Sequence, residues 1–219
     1  MVLLLSACAG DLSALDAAGP NARNVANLWW IMVAGSAAIF VLVGAILCLS
    51  FTQPGRHWLS ARWLIVGGGL VMPSAVIAAL VATSFALGER LLVHAEQAPV
   101  RIEATARQWQ WEFRYPGSDG ALSFNELHIP AGRPVDFTVT SGDVIHSFWI
   151  PRLGGKIDAI PGHTNTIRLL AEKPGHYGGI CAEFCGEGHA VMRFAVEAHE
   201  PQRFTEIVDP LNASGAGQQ

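Results

Sequence analysis

Four side chains that bind soft metal ions lie close together in the C-terminal half of the chain. The segment CAEFCGEGHAVM spaces them as C-x3-C-x3-H-x2-M, and they are Cys181, Cys185, His189 and Met192. Thiolate and thioether sulfur favour Cu(I), and imidazole suits copper in either oxidation state. A mononuclear blue-copper site uses one cysteine, whereas two thiolates can bridge two copper ions. The segment therefore predicts a copper site whose two thiolates could hold more than one ion.

A second imidazole is needed, and His146 is the best candidate. It lies in the segment DVIHSFWIP, which is a predicted strand upstream of Cys181. In a Greek-key sandwich the ends of distant strands meet at one pole, so the two segments can come together. Four other histidines are predicted to be surface residues: His128, His163, His176 and His199.

Two other chemistries stay open for the cysteine pair. Cys181 and Cys185 could form a disulfide, because the charge pattern described below places this region in an oxidising compartment. Zinc could also bind, although Met is a poor zinc ligand and zinc prefers further Cys or His. Cys48 lies inside an apolar run and is predicted to be a packing residue.

The region that must position these ligands, residues 97–200, has the pattern of a β domain. Apolar and polar residues alternate over 135–140, and Met192, Phe194 and Val196 share one face of a second run. Pro–Gly and Gly–Gly pairs separate the runs, so an antiparallel sandwich or barrel is predicted. The tail over 201–219 is predicted to be flexible.

Two uncharged apolar runs, residues 28–51 and 63–87, precede the β region. As helices each is roughly 36 Å long, enough to cross a hydrocarbon core of about 30 Å. The connector over 52–62 carries Arg56 and Arg62 and no acid, so the positive-inside rule places it in the cytoplasm. Both termini and the β domain are then expected on the periplasmic or extracellular side.

The N-terminal segment, residues 1–27, is expected on the same side as the β domain. It contains the run LSAC, which ends at Cys8 and matches a bacterial lipoprotein cleavage box in which the cysteine is lipidated. The apolar stretch before it is short and lacks a basic residue. Lipidation of Cys8 and a chance match both stay open.

Composition excludes several classes of protein. Hydrophobic residues make up 51% and charged residues 15% of the chain, against about 25% charged in soluble domains. Lys and Arg number 14 and Asp and Glu 18, for a net charge of −4. These values argue against disorder, against a nucleic-acid partner and against a purely soluble protein.

These motifs together resemble subunit II of haem–copper cytochrome c oxidase, the family that carries the binuclear copper centre CuA. The resemblance covers the hairpin of two spans, RQWQWEFRY, DVIHSFWIP, GGKIDAIPG and the ligand segment, in that order. It implies a two-helix transmembrane hairpin followed by an all-β cupredoxin-like Greek-key barrel. It also implies a subunit of a proton-translocating oxidoreductase in the bacterial inner membrane, one that carries electrons and leaves oxygen reduction to a partner.

By this resemblance, two cysteines would bridge two copper ions. These would be Cys181 and Cys185. His146 and the thioether of Met192 would complete the ligands of one ion. His189 and the backbone carbonyl of Glu183 would complete those of the second. The side chain of Glu183 would bind magnesium at the interface with the catalytic subunit I, and Asp158, beside Lys156, would lie near that metal.

The resemblance also implies where electrons enter. Trp109 matches the family's exposed tryptophan at which cytochrome c delivers its electron, whereas Trp111 and Phe113 are predicted core residues. From residue 91 onward the chain has 15 acidic and 10 basic residues, a net charge of −5, which suits a basic cytochrome c. The implied partners are subunit I and other oxidase subunits, cytochrome c and membrane lipid, with no nucleic acid.

Two other functions stay open. A quinol oxidase subunit II shares the hairpin and barrel but lacks the copper ligands, which are all present here. A membrane-anchored copper carrier or assembly protein needs only a mononuclear, exchangeable site. One departure concerns protons: many family members have a Glu and a Trp near the start of the second span, where this chain has Val66 and Gly69, so no proton route is carried over.

Overall fold

The computed structural model describes residues 8–52, 60–91, 98–115 and 122–215. The chain divides into a helical unit, Asn27–Val93, and a β unit formed by the residues on either side of it. Most of the lipoprotein-like run, most of the predicted connector with Arg56, and the last four residues of the predicted tail lie outside the described residues.

The helical elements are long and apolar. They are α1 (Pro20–Thr52), α2 (Ala61–Trp63), a π-helical segment (Leu64–Val71) and α3 (Met72–Leu91). Two stretches, Pro20–Thr52 and Ala61–Ala86, are long and apolar enough to cross a membrane, with mean hydropathies of 2.6 and 2.3. Helix α1 begins earlier than the predicted span because Pro20 is pre-set for a first helical position and because Asn21, Ala22 and Ala26 are buried.

Two five-stranded sheets form the β unit. The first has the order β3-β2-β1-β5-β8 and the second the order β4-β10-β9-β6-β7. The strands are β1 (Val100–Arg107), β2 (Gln110–Arg114), β3 (Leu122–Phe124), β4 (Glu126–Pro130), β5 (Val135–Ser141), β6 (His146–Trp149), β7 (Ile157–Ala159), β8 (Asn165–Leu169), β9 (Gly175–Cys181) and β10 (Arg193–His199). The predicted all-β architecture is therefore confirmed.

Strand direction differs in part from the predicted antiparallel arrangement. Strand β1 pairs with β5 in parallel, and β4 pairs with β10 in parallel, while the other pairings between described strands are antiparallel. Alternation in the sequence shows which face of a strand is buried but not which way its neighbour runs. The parallel pairs therefore had no sequence signal.

An aromatic core lies between the sheets. Alternate residues of β1, β5 and β10 are buried, and for β5 and β10 the sequence pattern predicts this. Phe148 lies 5.4 Å from Trp111, 5.0 Å from Phe137 and 5.2 Å from Phe194 between ring centroids. Trp111 and Phe113 are fully buried, which confirms them as core residues. This packing supports the strand ends that carry the site.

The predicted flexible tail is instead helical over most of its length. Helix α4 (Pro201–Gly215) follows β10 directly. Phe204 and Val208 are buried in the domain core. Their i, i+4 spacing places both on one helix face, which can pack against the β unit.

An N-terminal strap, residues 10–19, packs on the β unit. The backbone N–H of Gly178 donates to the carbonyl of Asp11 at 3.0 Å, and Arg152 forms a 3.0 Å ion pair with Asp16. Gly19 has no room for a side chain, because a Cβ there would lie 2.5 Å from the carbonyl oxygen of Leu170. The strap therefore belongs to the folded β unit although the sequence separates it by the whole helical unit.

Candidate metal centre

Three strand ends and one loop bring the predicted ligands to one pole of the second sheet. His146 begins β6 and Cys181 ends β9, and these neighbouring strands are antiparallel. Met192 immediately precedes β10, and its carbonyl accepts a 2.9 Å hydrogen bond from the backbone N–H of Cys181. Cys185 and His189 lie in the connection between β9 and β10. The long-range approach of His146 to Cys181 that the sequence predicts is therefore present.

The donor atoms form a continuous group. The Sγ atom of Cys181 lies 3.8 Å from Nδ1 of His146, 3.8 Å from Sγ of Cys185 and 3.3 Å from the carbonyl oxygen of Glu183. The Sγ atom of Cys185 lies 3.7 Å from Nδ1 of His189 and 3.7 Å from Sδ of Met192. Each sulfur of the pair thus contacts the other sulfur and two further donor atoms. His146, Cys181 and Met192 are almost completely buried.

The two cysteines are free thiols in this structure. Their sulfur atoms are 3.8 Å apart, whereas a disulfide requires about 2.05 Å. Two sulfurs that each lie about 2.3 Å from a metal ion can both reach one ion at the observed separation. The geometry therefore favours metal binding over the disulfide alternative.

The electrostatics of the cysteine pair also favour binding of a cation. Burial is the main cause that raises the pKa of the Cys185 thiol to about 12, and the nearby Cys181 adds to it. Two thiolates this close in a dry site repel each other, and bound metal ions remove that cost by supplying positive charge. Sulfur, imidazole and thioether donors together match the preference of copper.

Asp143 orients the imidazole of His146. Its Oδ1 lies 2.8 Å from Nε2 of His146, so Nδ1 faces Cys181. Burial alone would raise the pKa of Asp143, but hydrogen bonds from the backbone N–H of Gln108, the His146 ring and the backbone N–H of Val144 lower it to about 2. An ionised carboxylate on the far ring nitrogen fixes the tautomer and increases ligand basicity. Sequence reasoning did not single out Asp143 for this role.

Trp109 lies against the ligand loop. Its indole N–H donates to the carbonyl of Cys185 at 3.3 Å, and the Gln108 side-chain amide donates to the same oxygen at 2.8 Å. A Cβ on Gly188 would lie 2.4 Å from the indole, so the ring covers that glycine. Trp109 precedes β2 and is 42% exposed. The structure thus joins an exposed indole to a backbone group of a candidate ligand.

Glu183 presents its two polar groups to different neighbours. Its carbonyl faces Cys181, while its carboxylate lies 3.5 Å from Nζ of Lys156. Lys156 also forms a 2.9 Å ion pair with Asp158, and this partner lowers the pKa of Asp158. Glu183 and Asp158, which the resemblance places near one metal ion, thus both lie beside Lys156.

Four exposed apolar side chains, called the apolar rim below, lie next to candidate ligands or their partners in the sequence, and sequence reasoning did not single them out. Phe184 and Val191 are 77% and 78% exposed, and Val144 and Ile145 are also exposed. Exposed apolar residues grouped in this way are typical of interaction surfaces.

The fold is a cupredoxin-like β domain attached to two helices of membrane-spanning length, with the candidate metal centre at one pole of the domain. This combination defines the class of subunit II of haem–copper oxidases. A family model described as the periplasmic domain of cytochrome c oxidase subunit II matches residues 124–199. The chain belongs to this cytochrome c oxidase subunit II family, whose members include subunits of quinol oxidases.

Individual relatives support this membership. Cytochrome c oxidase subunit 2 of Alkalihalophilus pseudofirmus is 31% identical over 97% of this chain, and the chain spans 66% of that relative's length. Ubiquinol oxidase subunit 2 of Acetobacter aceti is 32% identical, with 97% of this chain and 73% of the relative covered. The solved periplasmic domain of cytochrome oxidase subunit II of Bradyrhizobium japonicum is 33% identical, covers 54% of this chain and 96% of its own, and superposes with a TM-score of 0.51.

Proposed function

We propose that this chain is the subunit through which electrons enter a respiratory cytochrome c oxidase. It accepts them from cytochrome c at a binuclear CuA centre and passes them to the haem–copper catalytic subunit, which reduces oxygen to water. The observation that carries the proposal is the contact pattern of the two cysteine sulfurs, each of which lies within 3.8 Å of two further donors besides its partner.

The ligand assignment follows the contacts of each sulfur. Cys181 contacts one donor assigned to each copper, the imidazole of His146 and the carbonyl of Glu183. Cys185 likewise contacts one donor of each set, the thioether of Met192 and the imidazole of His189. A sulfur that contacts donors of both ions is placed to bridge them. When bound, the copper pair would share one electron over two metals and two sulfurs.

The protein would keep the site rigid. The ligands lie on strand ends above an aromatic core, and the carboxylate of Asp143 holds His146. Ligands that cannot move favour electron transfer, because little rearrangement then accompanies a change of oxidation state. Burial of Cys181, Met192 and His146 also argues against a copper carrier, which must release its ion readily.

The proposal extends to the surroundings of the centre. The helices are assigned to the bacterial inner membrane, in contact with lipid, with both termini and the copper domain on the periplasmic side. Subunit I would lie against the side of Glu183, whose carboxylate is assigned to an interfacial magnesium ion. The exposed apolar rim and Trp109 suit the docking of cytochrome c.

A quinol oxidase subunit II is the second candidate function, because relatives such as the Acetobacter aceti protein carry that name. The complete set of sulfur and imidazole donors favours the cytochrome c oxidase, since subunit II of a quinol oxidase has no need of a metal at this pole. The two functions make different predictions for copper binding and for the reductant.

Copper loading of the full chain in detergent tests the proposal. We expect two copper ions per chain and an electron paramagnetic resonance signal from one electron shared by both nuclei. Reduced cytochrome c should reduce this centre, and a ubiquinol analogue should not. A mononuclear Cu(II) signal, a preference for zinc, or no bound metal would refute the binuclear assignment.

Replacing Trp109 with Phe should slow reduction by cytochrome c and leave the copper spectrum unchanged. The phenyl ring keeps the apolar contact but loses the N–H that donates to Cys185. Loss of one such hydrogen bond costs about 0.5–1.5 kcal/mol, so the second-order rate should fall by about two- to tenfold. Stopped-flow mixing of the copper-loaded chain with reduced cytochrome c measures the rate.

Trp149→Phe is the matched control for this rate. Its indole donates to the carbonyl of Gly154 at 3.0 Å and belongs to the same β unit. The control should react at the rate of the unchanged chain. Equal rates for Trp109→Phe and the unchanged chain would remove Trp109 from the electron path.

A further inference from the structure

Gln108 contacts both halves of the candidate metal centre. It lies in the turn between β1 and β2 of the first sheet, whereas the candidate ligands lie at one pole of the second sheet. Its backbone N–H donates to Oδ2 of Asp143 at 2.7 Å, and Oδ1 of the same carboxylate lies 2.8 Å from Nε2 of His146. Its side-chain amide donates to the carbonyl of Cys185 at 2.8 Å. Gln108 therefore connects the carboxylate that orients one candidate ligand to the loop that carries another.

The carbonyl of Cys185 accepts two hydrogen bonds from this turn. A carbonyl oxygen has two lone pairs, so both donors can be accommodated. The bond from the Gln108 amide is 2.8 Å long and the bond from the Trp109 indole is 3.3 Å long, whereas ordinary N–H···O bonds are about 2.9–3.0 Å long. The amide therefore makes the closer contact, and it would remain in place when the indole is replaced by a phenyl ring.

Gly186 shows how closely the turn packs on the ligand loop. Its φ of +117° lies in the region that favours glycine. A Cβ on Gly186 would lie 3.1 Å from Nε2 of Gln108 and 3.3 Å from the Trp109 ring. A side chain at this position would push the amide away from the carbonyl of Cys185. The backbone of the loop is thus shaped to receive the Gln108 amide.

The Gln108 amide also acts on the electrostatics of the site. The positive end of its N–H dipole faces a backbone oxygen of Cys185, whose Sγ is a candidate bridging ligand. Hydrogen-bond donors near the ligands of a metal centre change its reduction potential, because they stabilise the state that carries more negative charge. Since a gained electron adds negative charge, a donor at this place favours the reduced state.

We propose that Gln108 is a positioning residue of the metal centre, which holds the Cys185 loop against the turn and makes the copper-loaded centre easier to reduce. The inference rests on the proposed function, because it concerns the same centre, and sequence reasoning gave Gln108 no role. Gln108 acts through the carbonyl of Cys185 and the carboxylate of Asp143, and it is not itself a ligand.

Redox titration of the copper-loaded full chain in detergent measures the effect on reduction. Gln108→Leu removes the donor and keeps much of the side-chain volume. Loss of one hydrogen bond changes an equilibrium constant by about two- to tenfold, so we expect the equilibrium constant for reduction to fall by that factor. Gln108→Glu keeps the shape but puts a negative charge in place of the donor, and it should lower the constant at least as much.

Gln110→Leu and Gln110→Glu are the matched controls, because Gln110 lies two residues further along the chain and is exposed on β2. They make the same changes in size and charge, but each should change the equilibrium constant less than its counterpart at Gln108. An equilibrium constant that is the same in Gln108→Leu and Gln110→Leu would overturn the proposal.

Hydrogen exchange of the metal-free full chain, followed by mass spectrometry of the loop peptide, separates this inference from the proposed function. The backbone N–H of His189 donates to the carbonyl of Gly186 at 3.1 Å, so its exchange rate reports on the order of the loop. We expect Gln108→Leu to raise this rate by about two- to tenfold and Gln110→Leu to leave it unchanged. This increase without a binuclear copper signal would support the contact between Gln108 and the loop and contradict the proposed function. Equal exchange rates in Gln108→Leu and the unchanged chain would overturn the inference even if copper binds as proposed.

Discussion

Replacing Cys185 with Ser is expected to abolish the shared-electron copper signal and to reduce bound copper from two ions to at most one. The Sγ atom of Cys185 lies within 3.8 Å of three other donor atoms, on Cys181, His189 and Met192. A serine hydroxyl stays protonated and is a poor donor for soft copper. Without the sulfur of Cys185, no bridging atom links the donors on Cys181, His189 and Met192.

Cys181→Ser should have the same effect, because both sulfurs are assigned to bridge the two ions. Equal effects of the two substitutions indicate that both cysteines bridge. If one cysteine were a terminal ligand, its loss would leave the other still joining the two ions. Metal analysis and electron paramagnetic resonance of the copper-loaded full chain measure the outcome. Cys48→Ser is the matched control, because Cys48 lies in α1 and is exposed there.

A shared-electron signal that survives in either single variant would show that the thiolates do not bridge. The proposed CuA centre would then be wrong, even if copper still bound. Since Cys48→Ser makes the same chemical change elsewhere, it also shows whether loss of any cysteine alters copper loading.

The ligand loop could be predicted from the sequence because its chemistry is local. Cys181, Cys185, His189 and Met192 lie within one short segment, so their spacing alone indicates a common site. His146 required a second argument, that strand ends in a sandwich meet at one pole. The structure places its Nδ1 3.8 Å from Cys181.

Long-range side-chain partners had no comparable signal. Asp143 is an ordinary loop acid in the sequence, and only the folded strand β6 brings it to Nε2 of His146. His128 and His199 were predicted to be surface residues, yet the parallel pairing of β4 with β10 brings their rings into contact. Such contacts depend on whether neighbouring strands run parallel or antiparallel. The alternation of apolar and polar residues does not show that direction.

The prediction for the tail was wrong, and the packing of the strap was not predicted, for a related reason. The tail over 201–219 is short and polar overall, but the two apolar residues that matter, Phe204 and Val208, lie one helical turn apart. The N-terminal strap has no strand or helix pattern, and its partners, Arg152 and Gly178, lie beyond both apolar runs. The conformation of both segments depends on their contacts with the folded β unit, which lie far away in the sequence.

Phe148→Ala should lower the free energy of unfolding of the β unit by about 3–5 kcal/mol, the usual cost of removing a large core side chain. Phe148 is fully buried and its ring lies within 5.4 Å of Trp111, Phe137 and Phe194. The resulting cavity would lie beside His146, two residues earlier on β6. Urea unfolding of the metal-free full chain in detergent, followed by near-ultraviolet circular dichroism, measures the loss.

Phe124→Ala makes the same substitution on edge strand β3, where Phe124 is exposed, and should change stability by no more than about 0.5 kcal/mol. Phe148→Leu keeps most of the volume and should cost under about 1.5 kcal/mol. Equal losses at Phe124 and Phe148 would mean that the aromatic cluster does not support the fold. If the cluster also positions the ligands, Phe148→Leu should lower copper affinity slightly and Phe148→Ala should lower it more. Phe124→Ala should leave copper affinity unchanged, because only changes beside His146 alter the position of a proposed copper ligand.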